Sequence, residues 1–543
     1  MATPSPNPLY LTREWRTFLS REFGDFQTPR RLVKEVVACL RESGKRWDRL
    51  LEPTCGVGNF ILGAVEGHLL SDGAKVIGIE LQQRHFVKAC CLNEHALGSQ
   101  FDLFNTSIFN VDLSSQLEWP HKGKLLVLGN PPWVTNSELG ALSSDNVPTK
   151  RNLKNLNGLD AITGGSNFDI AESIWLKLID ELKDEEPTIA MLCKTSVARN
   201  IIEYASRGKL PIASALIRKI DAAKWFGASV DACLFVVEVS RNAHALSQVP
   251  VFRDLKSTSP EHVIGVLDRG LIADQRSYSE VRIVEGSFPF QWRQGLKHDA
   301  ADVMELTWQR DGSLRNKLGE PVHIESDFVY PLLKSSDVAH ARTTRIERAV
   351  IVTQTFVGES TTPLSTNAPR LWAYLQSHSQ VFERRRSSIY QGKPVFSIFG
   401  IGPYSFAPFK VVVSGMYKSP KFVAIGPYGQ RPVMMDDTCY FVPFESAMEC
   451  AITATLLNSS PCRQFLESTM FRDGKRPITK KLLQRISLDG LAELASSDEL
   501  RNQSTDLASH LLHDKAATNL ESWDAALGSL TLKQPSLWGV DSP

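Results

Sequence analysis

Short apolar runs alternate with stretches of helical spacing along the first half of the chain. The run at 125–128 predicts a buried parallel strand, because it is wholly apolar and ends at a glycine. Helical spacing of apolar residues follows Pro29 and Asp169, and Thr28 is predicted as the N-cap of the first helix. This alternation predicts an α/β fold with a mostly parallel sheet. The other predicted strands end at Glu52, Glu80 and Asn105 or span 188–193 and 229–237.

One stretch places two prolines, an amide and an aromatic ring at the end of a predicted strand. Pro131 and Pro132 fix the backbone that leaves the strand. They hold Asn130 at its carboxyl end, where open α/β sheets bind ligands. The Asn130 side-chain carbonyl and the Pro131 backbone carbonyl are two acceptors beside the flat face of Trp133. This set suits an exocyclic amino group on a flat base, although the motif alone is equally compatible with a surface turn.

A turn that contains two glycines follows another predicted strand. Gly56 and Gly58 allow a tight turn and the close approach of a ligand. Glu80 lies about 20 residues further on, a spacing that suits a carboxylate bonded to ribose hydroxyls. The phosphate-binding pattern GxGxxG is absent, and Glu52 would repel a pyrophosphate but could pair with an ammonium group. The turn therefore favours a nucleoside-like ligand that carries an amino acid over a dinucleotide.

Composition and charge narrow the classes of protein that the sequence can encode. Of its 543 residues, 42% are hydrophobic and 22% are charged, as in an ordinary globular protein with two or more domains. The 61 basic and 60 acidic residues nearly cancel, so nucleic-acid binding would need a local patch. The nine cysteines show no metal spacing, so we expect reduced thiols and no metal site. Because no apolar run approaches ~20 residues, we expect a cytoplasmic protein without a membrane span.

Four motifs occur in the order that is typical of one enzyme family. They are Phe-x-x-Phe-x-Thr-Pro at 23–29, Glu-Pro-x-x-Gly-x-Gly-x-Phe at 52–60, Gly-Ile-Glu at 78–80 and Asn-Pro-Pro-Trp at 130–133. The chain from about residue 23 to residue 239 resembles the gamma class of S-adenosyl-L-methionine-dependent N6-adenine DNA methyltransferases. The resemblance implies a Rossmann-like class I methyltransferase domain with a seven-stranded, mostly parallel sheet and an antiparallel last hairpin. It also implies S-adenosyl-L-methionine as the cofactor and a flipped-out adenine of double-stranded DNA as the substrate.

The resemblance assigns a role to each residue that matches a family motif. Thr28 would hold the methionine carboxylate of the cofactor, and Glu80 would hold its ribose. The other residues expected to line the cofactor are Glu52, Thr54, Cys55, Gly56, Gly58, Leu81, Ser107 and Ile108. Ser107 stands where the family has an acid that contacts the cofactor adenine, and its hydroxyl could still accept that hydrogen bond.

The resemblance also implies a set of catalytic residues. Asn130 and Pro131 would bind the target amino group, and Pro132 belongs to the same motif. Trp133 would stack on the flipped base, and Phe226 would support the other face. N4-cytosine methylation is an alternative that uses the same geometry, although asparagine before the two prolines favours adenine. Methylation of RNA or of a protein glutamine also stays open, as does a DNA-binding scaffold without cofactor.

From about residue 250, short apolar and aromatic runs predict a mixed α+β domain, which the resemblance identifies as the target-recognition domain. We predict an N-terminal lead at 1–22, a catalytic domain at 23–245, a recognition domain at 246–490 and a tail at 491–543. The candidate DNA contacts are Arg384, Arg385, Arg386, Lys410, Lys418, Lys421, Arg472, Lys475 and Arg476, with a solvated basic edge as the alternative. We expect a monomer that binds double-stranded DNA, in a restriction-modification or phage-defence setting where the alternatives for a second partner are a cognate restriction endonuclease and a defence-system protein. The polar segment 135–166 is predicted to be a long loop.

Overall fold

The computed structural model describes residues 27–96, 100–120, 122–134, 169–206, 210–267, 270–471, 474, 476–495, 497–512 and 522–532. The chain forms two compact units, Met1–Gln275 and Arg276–Pro543. The described residues do not include the part of the first motif that precedes Gln27, the segment 135–166, Arg472 or Lys475. Within the described ranges, no helix is both long enough and apolar enough to cross a membrane.

The first unit is built on one ten-stranded mixed sheet. Its strands are β1 Trp47–Glu52, β2 Leu70–Glu80, β3 Phe101–Asn105, β4 Leu125–Gly129, β5 Thr188–Lys194, β6 Ile212–Ile220, β7 Ala232–Val239, β8 Gln248–Phe252, β9 His262–Leu267 and β10 Gly270–Ile272. Its helices are α1 Arg30–Arg41, α2 Asn59–Glu66, α3 Gln83–Ala96, α4 Ile170–Glu181, α5 Thr195–Ser206 and α6 Ala222–Phe226. Helix α1 packs on α2, and α4 packs on α5.

The strand order in this sheet is β10-β9-β8-β6-β7-β5-β4-β1-β2-β3. Strands β3, β2, β1, β4 and β5 run parallel to one another, and β7 is antiparallel to both β5 and β6. The expected mostly parallel sheet with an antiparallel last hairpin is therefore confirmed. Strand β4 is buried over its whole length, as its apolar sequence predicts.

The sheet continues beyond residue 245, where the sequence analysis ended the catalytic domain. Strand β8 pairs in parallel with β6, and β9 and β10 extend the same edge by antiparallel pairing. The apolar runs after residue 250 predict strands correctly, but short runs carry no information about which sheet they join. The two compact units consequently divide after Gln275. The functions assigned to the two domains stay predictions.

The second unit contains two sheets, which agrees with the predicted mixed α+β architecture. Its strands are β11 Arg293–Gln294, β12 Glu305–Trp308, β13 Leu314–Asn316, β14 Pro321–Val322, β15 Val329–Leu333, β16 Arg348–Ile351, β17 Phe409–Ser414, β18 Phe422–Ile425, β19 Met434–Met435 and β20 Cys439–Phe444. One sheet has the order β11-β20-β17-β18, and the other has the order β14-β13-β12-β16-β15-β19.

The helices of the second unit are mostly short. They are α7 Gln275–Glu280, which begins at the last residue of the first unit, α8 Ala301–Met304, α9 Ser335–Ala339, α10 Leu364–Asn367, α11 Pro369–Ser377, α12 Ser379–Glu383, α13 Ala447–Leu457, α14 Ser460–Thr469, α15 Lys480–Leu483, α16 Leu488–Leu494, α17 Ser497–Leu511 and α18 Trp523–Leu532. Both α17 and α18 pack on the buried helix α13. The predicted tail at 491–543 thus contributes two helices to the packing of this unit.

Candidate active site

A pocket of about 830 Å³, counted out to its solvent-open mouth, lies at the carboxyl ends of β1, β2, β3 and β4. Its wall includes every residue predicted to line the cofactor except Gly58, together with Asn130 and Pro132. The structure therefore brings residues of all four motifs, which are far apart in the sequence, to one edge of the sheet.

The backbone turn after β1 has the left-handed conformation that its glycines allow. Gly56 has φ +56° and Gly58 has φ +81°. A side chain at Gly56 would also overlap Gln27, because a Cβ there would lie 2.6 Å from the Gln27 Oε1 atom. Gly58 is the N-cap of α2, so it shapes the turn without lining the pocket.

The turn is fixed by the carboxylate that ends β2. Glu80 Oε2 accepts a hydrogen bond from the Gly56 amide at 2.8 Å, and Glu80 Oε1 accepts one from the Gln82 amide at 2.6 Å. Both carboxylate oxygens therefore accept hydrogen bonds from backbone amides. The residue is only 7% exposed, so these bonds offset part of the cost of burying the carboxylate. A carboxylate can accept about four hydrogen bonds, so a carboxylate in this pocket wall suits the hydroxyl groups of a ligand.

Glu52, at the end of β1, is a second buried carboxyl group in the pocket wall. It is 2% exposed, and its Oε2 atom accepts a hydrogen bond from the Ile61 amide at 3.3 Å. Burial raises the pKa of Glu52 well above its usual range, and the charge of Glu80 raises it further. A cationic ligand group would offset this cost, which fits the predicted contact with an ammonium group.

Thr28 contacts Asn130 across the pocket, which the sequence did not predict. The Asn130 Nδ2 atom donates a hydrogen bond to Thr28 Oγ1 at 3.1 Å. Thr28 is not the N-cap of α1, because that position is taken by Pro29 and no side chain caps the helix. The Thr28 hydroxyl keeps its own hydrogen to donate, so it can orient Asn130 and still hold a carboxylate.

The Asn-Pro-Pro-Trp motif at 130–133 is also held from its carboxyl side. The Ile170 amide at the start of α4 donates a hydrogen bond to the Val134 carbonyl at 3.0 Å. Thr54 Oγ1 lies 3.5 Å from the backbone carbonyl of Asn130. These contacts fix the segment 130–134 between the glycine turn and α4, so the Asn130 amide has a defined direction.

Trp133 and Phe226 lie together, but they do not leave space for a base between them. Their ring centroids are 5.1 Å apart with an interplanar angle of 70°, which is an edge-to-face contact. Trp133 is 8% exposed and belongs to the hydrophobic core of the first unit. The predicted arrangement, with a base between two faces, would require these rings to separate.

Several polar residues of the pocket wall were not predicted as site residues, and they are Gln27, Asn59, Gln82, His85 and Thr106. Gln27 Oε1 accepts a hydrogen bond from the Val57 amide at 3.3 Å, and Gln27 Nε2 lies 3.2 Å from His85 Nδ1. His85 is buried in the first turn of α3. Gln27 directly precedes Thr28 in the first motif, and this position could have indicated that Gln27 also lines the pocket. Nothing in the spacing of His85 indicates its position.

The structure corrects two of the predicted DNA contacts in the second unit. Lys410 on β17 is 1% exposed, and its Nζ atom donates to the Ala407 carbonyl at 2.6 Å. Burial lowers the pKa of Lys410 to about 7. The Arg385 guanidinium donates to the carbonyls of Val395 at 2.6 Å and Ser397 at 2.8 Å. Both side chains therefore contribute to the fold of the unit, because their donor groups are directed at backbone carbonyls.

The other candidate DNA contacts differ in how accessible they are. Arg476 forms an ion pair with Asp437 at 3.2 Å. The exposed candidates are Arg384, Arg386, Lys418 and Lys421.

The described residues contain no group of three histidine, cysteine or acidic side chains that could hold a metal ion.

Three features together define a class I S-adenosyl-L-methionine-dependent methyltransferase. They are the order 3-2-1-4-5-7-6 of the first seven strands, the glycine turn fixed by Glu80, and the motif after β4. The comparison of sequences narrows this class. The chain is 40% identical over 477 residues to the type II methyltransferase M.NspV of Nostoc sp. (strain ATCC 29411 / PCC 7524), a match that covers 87% of this chain and 98% of that protein. The chain therefore belongs to the type II methyltransferases. No protein-family model matches it.

Solved structures show only distant likeness to the whole chain. The type IIL restriction-modification enzyme MmeI in complex with DNA matches with a TM-score of 0.47 and 11% identity, over 95% of this chain and 76% of that chain. The type I restriction-modification methyltransferase subunit of Streptococcus thermophilus matches with a TM-score of 0.30 and 14% identity, over 44% of this chain and 50% of that chain.

Proposed function

We propose that this protein transfers a methyl group from S-adenosyl-L-methionine to N6 of a flipped-out adenine at a specific site in duplex DNA. The observation that carries the proposal is the position of Asn130. Its amide follows β4 at the edge of the pocket and is oriented by the hydrogen bond from Nδ2 to Thr28. We assign the carbonyl branch of the same amide as the acceptor for an amino group of the substrate.

The chemistry of the pocket wall fits each part of the cofactor. Glu52 suits the ammonium group, the Thr28 hydroxyl suits the carboxylate, and Glu80 suits the ribose hydroxyls. Leu81 and the buried Ile108 supply apolar surface for an adenine ring. When bound there, the cofactor supplies an electrophilic methyl group on a sulfonium centre.

Asn130 and Pro131 are proposed to activate the target amino group. The lone pair of adenine N6 is delocalised into the ring, so the free amino group is a poor nucleophile. Two carbonyl acceptors, the Asn130 side chain and the Pro131 backbone, would draw both amino hydrogens out of the ring plane. This favours a tetrahedral nitrogen and stabilises the positive charge that develops during transfer. No covalent nucleophile is required, and alignment of donor and acceptor supplies much of the rate.

The Ser107 hydroxyl is proposed to take the place of the acid that the family uses against the cofactor adenine. Ser107 lines the pocket, and its Oγ atom accepts a hydrogen bond from the Phe109 amide at 3.3 Å. An oxygen fixed in this way retains a second lone pair for an adenine amino group. The substitution of serine for the acid is thus compatible with cofactor binding, which favours an enzyme over a scaffold without cofactor.

The base that is modified can be identified by direct analysis of the product. Purified protein would be incubated with labelled S-adenosyl-L-methionine and unmethylated genomic DNA, and the nucleosides would then be separated by mass spectrometry. The proposal predicts labelled N6-methyladenine. Labelled N4-methylcytosine would overturn the assignment to adenine, and label in added RNA or protein but not in DNA would overturn the assignment to DNA.

We infer a restriction-modification setting from the relative M.NspV, which is a type II methyltransferase. In such a setting, a separate endonuclease would cut the same DNA sequence when it is unmethylated. We expect the methyltransferase itself to act as a monomer.

Cofactor affinity is expected to rise with pH as Glu52 ionises. The pKa of Glu52 is raised by burial and by Glu80, so the carboxyl is neutral at a pH where an exposed glutamate would be charged. Only the carboxylate pairs with the ammonium group, so affinity increases as pH rises through the raised pKa, and binding releases a proton. Calorimetry in buffers with different ionisation enthalpies measures both effects.

Glu52→Gln is the matched control for this pH dependence, because it keeps the shape of the side chain and removes the titration. This variant should bind the cofactor more weakly than wild type, with little change across the same pH range. If wild-type affinity did not change with pH and no proton were released, Glu52 would not pair with the ammonium group.

The exposed arginines on either side of Arg385 are expected to contribute to DNA affinity. For Arg384→Ala combined with Arg386→Ala, the slope of log affinity against log salt concentration should fall by up to about 1.8, since each phosphate contact contributes about 0.9. Fluorescence anisotropy with a labelled duplex at several salt concentrations measures this slope. Arg345→Ala is the control, because Arg345 is also exposed but pairs with Glu347 at 3.2 Å. An unchanged slope in the double variant would remove these arginines from the DNA interface.

A further inference from the structure

The first turn of α4 lies beside the Asn-Pro-Pro-Trp motif and carries a shielded ion pair. Asp169 is the N-cap of α4, and its Oδ1 atom accepts a hydrogen bond from the Ala171 amide at 3.0 Å. Its Oδ2 atom pairs with the Lys194 Nζ atom at 2.8 Å. The side chains of Asp169 and Lys194 are only 11% and 19% exposed, so salt screens this pair less than a surface pair. The Asp169 carboxylate therefore joins the helix to the end of β5.

The sheet places Lys194 at the same edge as the motif. Strands β4 and β5 are parallel neighbours, and Gly129 at the end of β4 pairs with Met191. Lys194 comes three residues after Met191, just as Pro132 comes three residues after Gly129. Because neighbouring strands rise by the same distance per residue, the last residue of β5 reaches the level of the motif.

A backbone hydrogen bond connects the ion pair to the motif. Asp169 directly precedes Ile170, whose amide donates to the Val134 carbonyl at 3.0 Å. Ile170 also lines the pocket, as Ile174 does one turn later. A displacement of the first turn of α4 would consequently move both the pocket wall and the residue that follows Trp133.

A second buried contact fixes the same helical turn to α5. Glu172 is 6% exposed, and its Oε2 atom accepts a hydrogen bond from the Asn200 Nδ2 atom at 2.8 Å. Burial, together with the charge of Asp169, raises the pKa of Glu172 to about 7. Lys194 thus supplies positive charge to a turn that buries two acidic side chains, and burial of a charge is costly unless the charge is paired.

We propose that Lys194 and Asp169 are positioning residues for methyl transfer, because their ion pair holds the first turn of α4 and thereby keeps the Asn-Pro-Pro-Trp motif in its reactive geometry. This inference rests on the proposed methyltransferase function, and it assigns neither side chain a contact with substrate or cofactor. Since transfer depends on the alignment of donor and acceptor, a small displacement of the motif lowers the rate of the chemical step more than it lowers affinity.

A set of variants isolates the ion pair from the stability of the helix. Lys194→Met removes the cation and keeps an unbranched side chain, whereas Asp169→Asn removes the charge and keeps an oxygen that can cap the helix. The third variant combines both substitutions. Lys177→Met is the control, because Lys177 pairs with Glu181 on the same helix and these side chains are also shielded, at 12% and 28% exposed. Glu181 accepts a hydrogen bond from the Leu113 amide, so this second pair is joined to a different segment.

Single-turnover assays with labelled S-adenosyl-L-methionine and unmethylated genomic DNA measure the rate below the melting transition of every variant. Lys194→Met should lower this rate by about tenfold or more, with the Kd for cofactor and the half-saturating DNA concentration within about threefold of wild type. The double variant should be faster than Lys194→Met, since it no longer buries a carboxylate that has lost its cation. Lys194→Arg should recover most of the rate because it restores the charge, and Lys177→Met should match wild type.

Three results would overturn this inference alone. The first is an unchanged rate in Lys194→Met and Asp169→Asn. The second is an equal loss of rate in Lys194→Met and Lys177→Met, because that pattern indicates loss of helix stability. The third is an unchanged rate with a raised half-saturating DNA concentration, which would place Lys194 at the DNA. Absence of label with the wild-type protein would overturn the proposed function, and this inference with it.

Discussion

Asn130→Ala should lower the rate of methyl transfer by about 10²-fold or more and leave cofactor affinity within a few-fold of wild type. The size of the loss follows from removal of one preorganised group at the reacting atom, which typically costs about 10²–10³ in kcat. Cofactor binding should survive, because the carboxylates of Glu52 and Glu80 remain in the pocket wall. Single-turnover assays with labelled cofactor measure the rate, and calorimetry measures the affinity.

Thr28→Val separates orientation of Asn130 from the chemistry that Asn130 performs. It removes the hydroxyl that accepts from Asn130 Nδ2 and keeps the carbonyl acceptor of Asn130 itself. The expected result is a smaller loss of rate than in Asn130→Ala, accompanied by weaker cofactor binding because the methionine carboxylate loses a donor. Near-normal turnover of Asn130→Ala would show that this amide is not the catalytic acceptor.

Glu80→Ala is expected to weaken cofactor affinity by about 10- to 100-fold, because hydrogen bonds to charged groups contribute about 1.5–3 kcal/mol. The carboxylate also holds the Gly56 and Gln82 amides, so its loss should loosen the turn that lines the pocket. Equilibrium dialysis with labelled cofactor measures the affinity directly.

Glu80→Gln distinguishes the two roles of this carboxylate. One amide oxygen can still accept from a backbone amide, so the turn should be better preserved than in Glu80→Ala, and the melting temperature should lie closer to that of wild type. The variant should still bind the cofactor less tightly than wild type. A cofactor affinity that is unchanged in both variants would mean that Glu80 acts on the turn alone.

The sequence predicted the core of the site because its signals are local. An apolar run that ends at glycine and two prolines leaves few conformations for the segment around Asn130. Two glycines in one turn predicted a tight turn, and the structure has a left-handed backbone at both Gly56 and Gly58. The position of Glu80 followed from its place at the end of β2, since parallel strands bring their carboxyl ends together.

Long-range contacts and the direction of side chains could not be predicted in the same way. The hydrogen bond between Thr28 and Asn130 joins residues that are 102 positions apart, and no local pattern specifies it. Strand β17 is buried on both faces, so it lacks the alternation that would have indicated the inward position of Lys410. The row of three arginines at 384–386 likewise contains no signal that the middle one binds backbone carbonyls.

Expression in a bacterial host that lacks DNA methylation, followed by modification-sensitive sequencing of the host DNA, tests the central claim most directly. The proposed function predicts N6-methyladenine at one short sequence motif in cells that carry the wild-type protein, and none in cells that carry Asn130→Ala. Host DNA without any new adenine modification, from cells in which the folded wild-type protein is present and binds the cofactor, would contradict it.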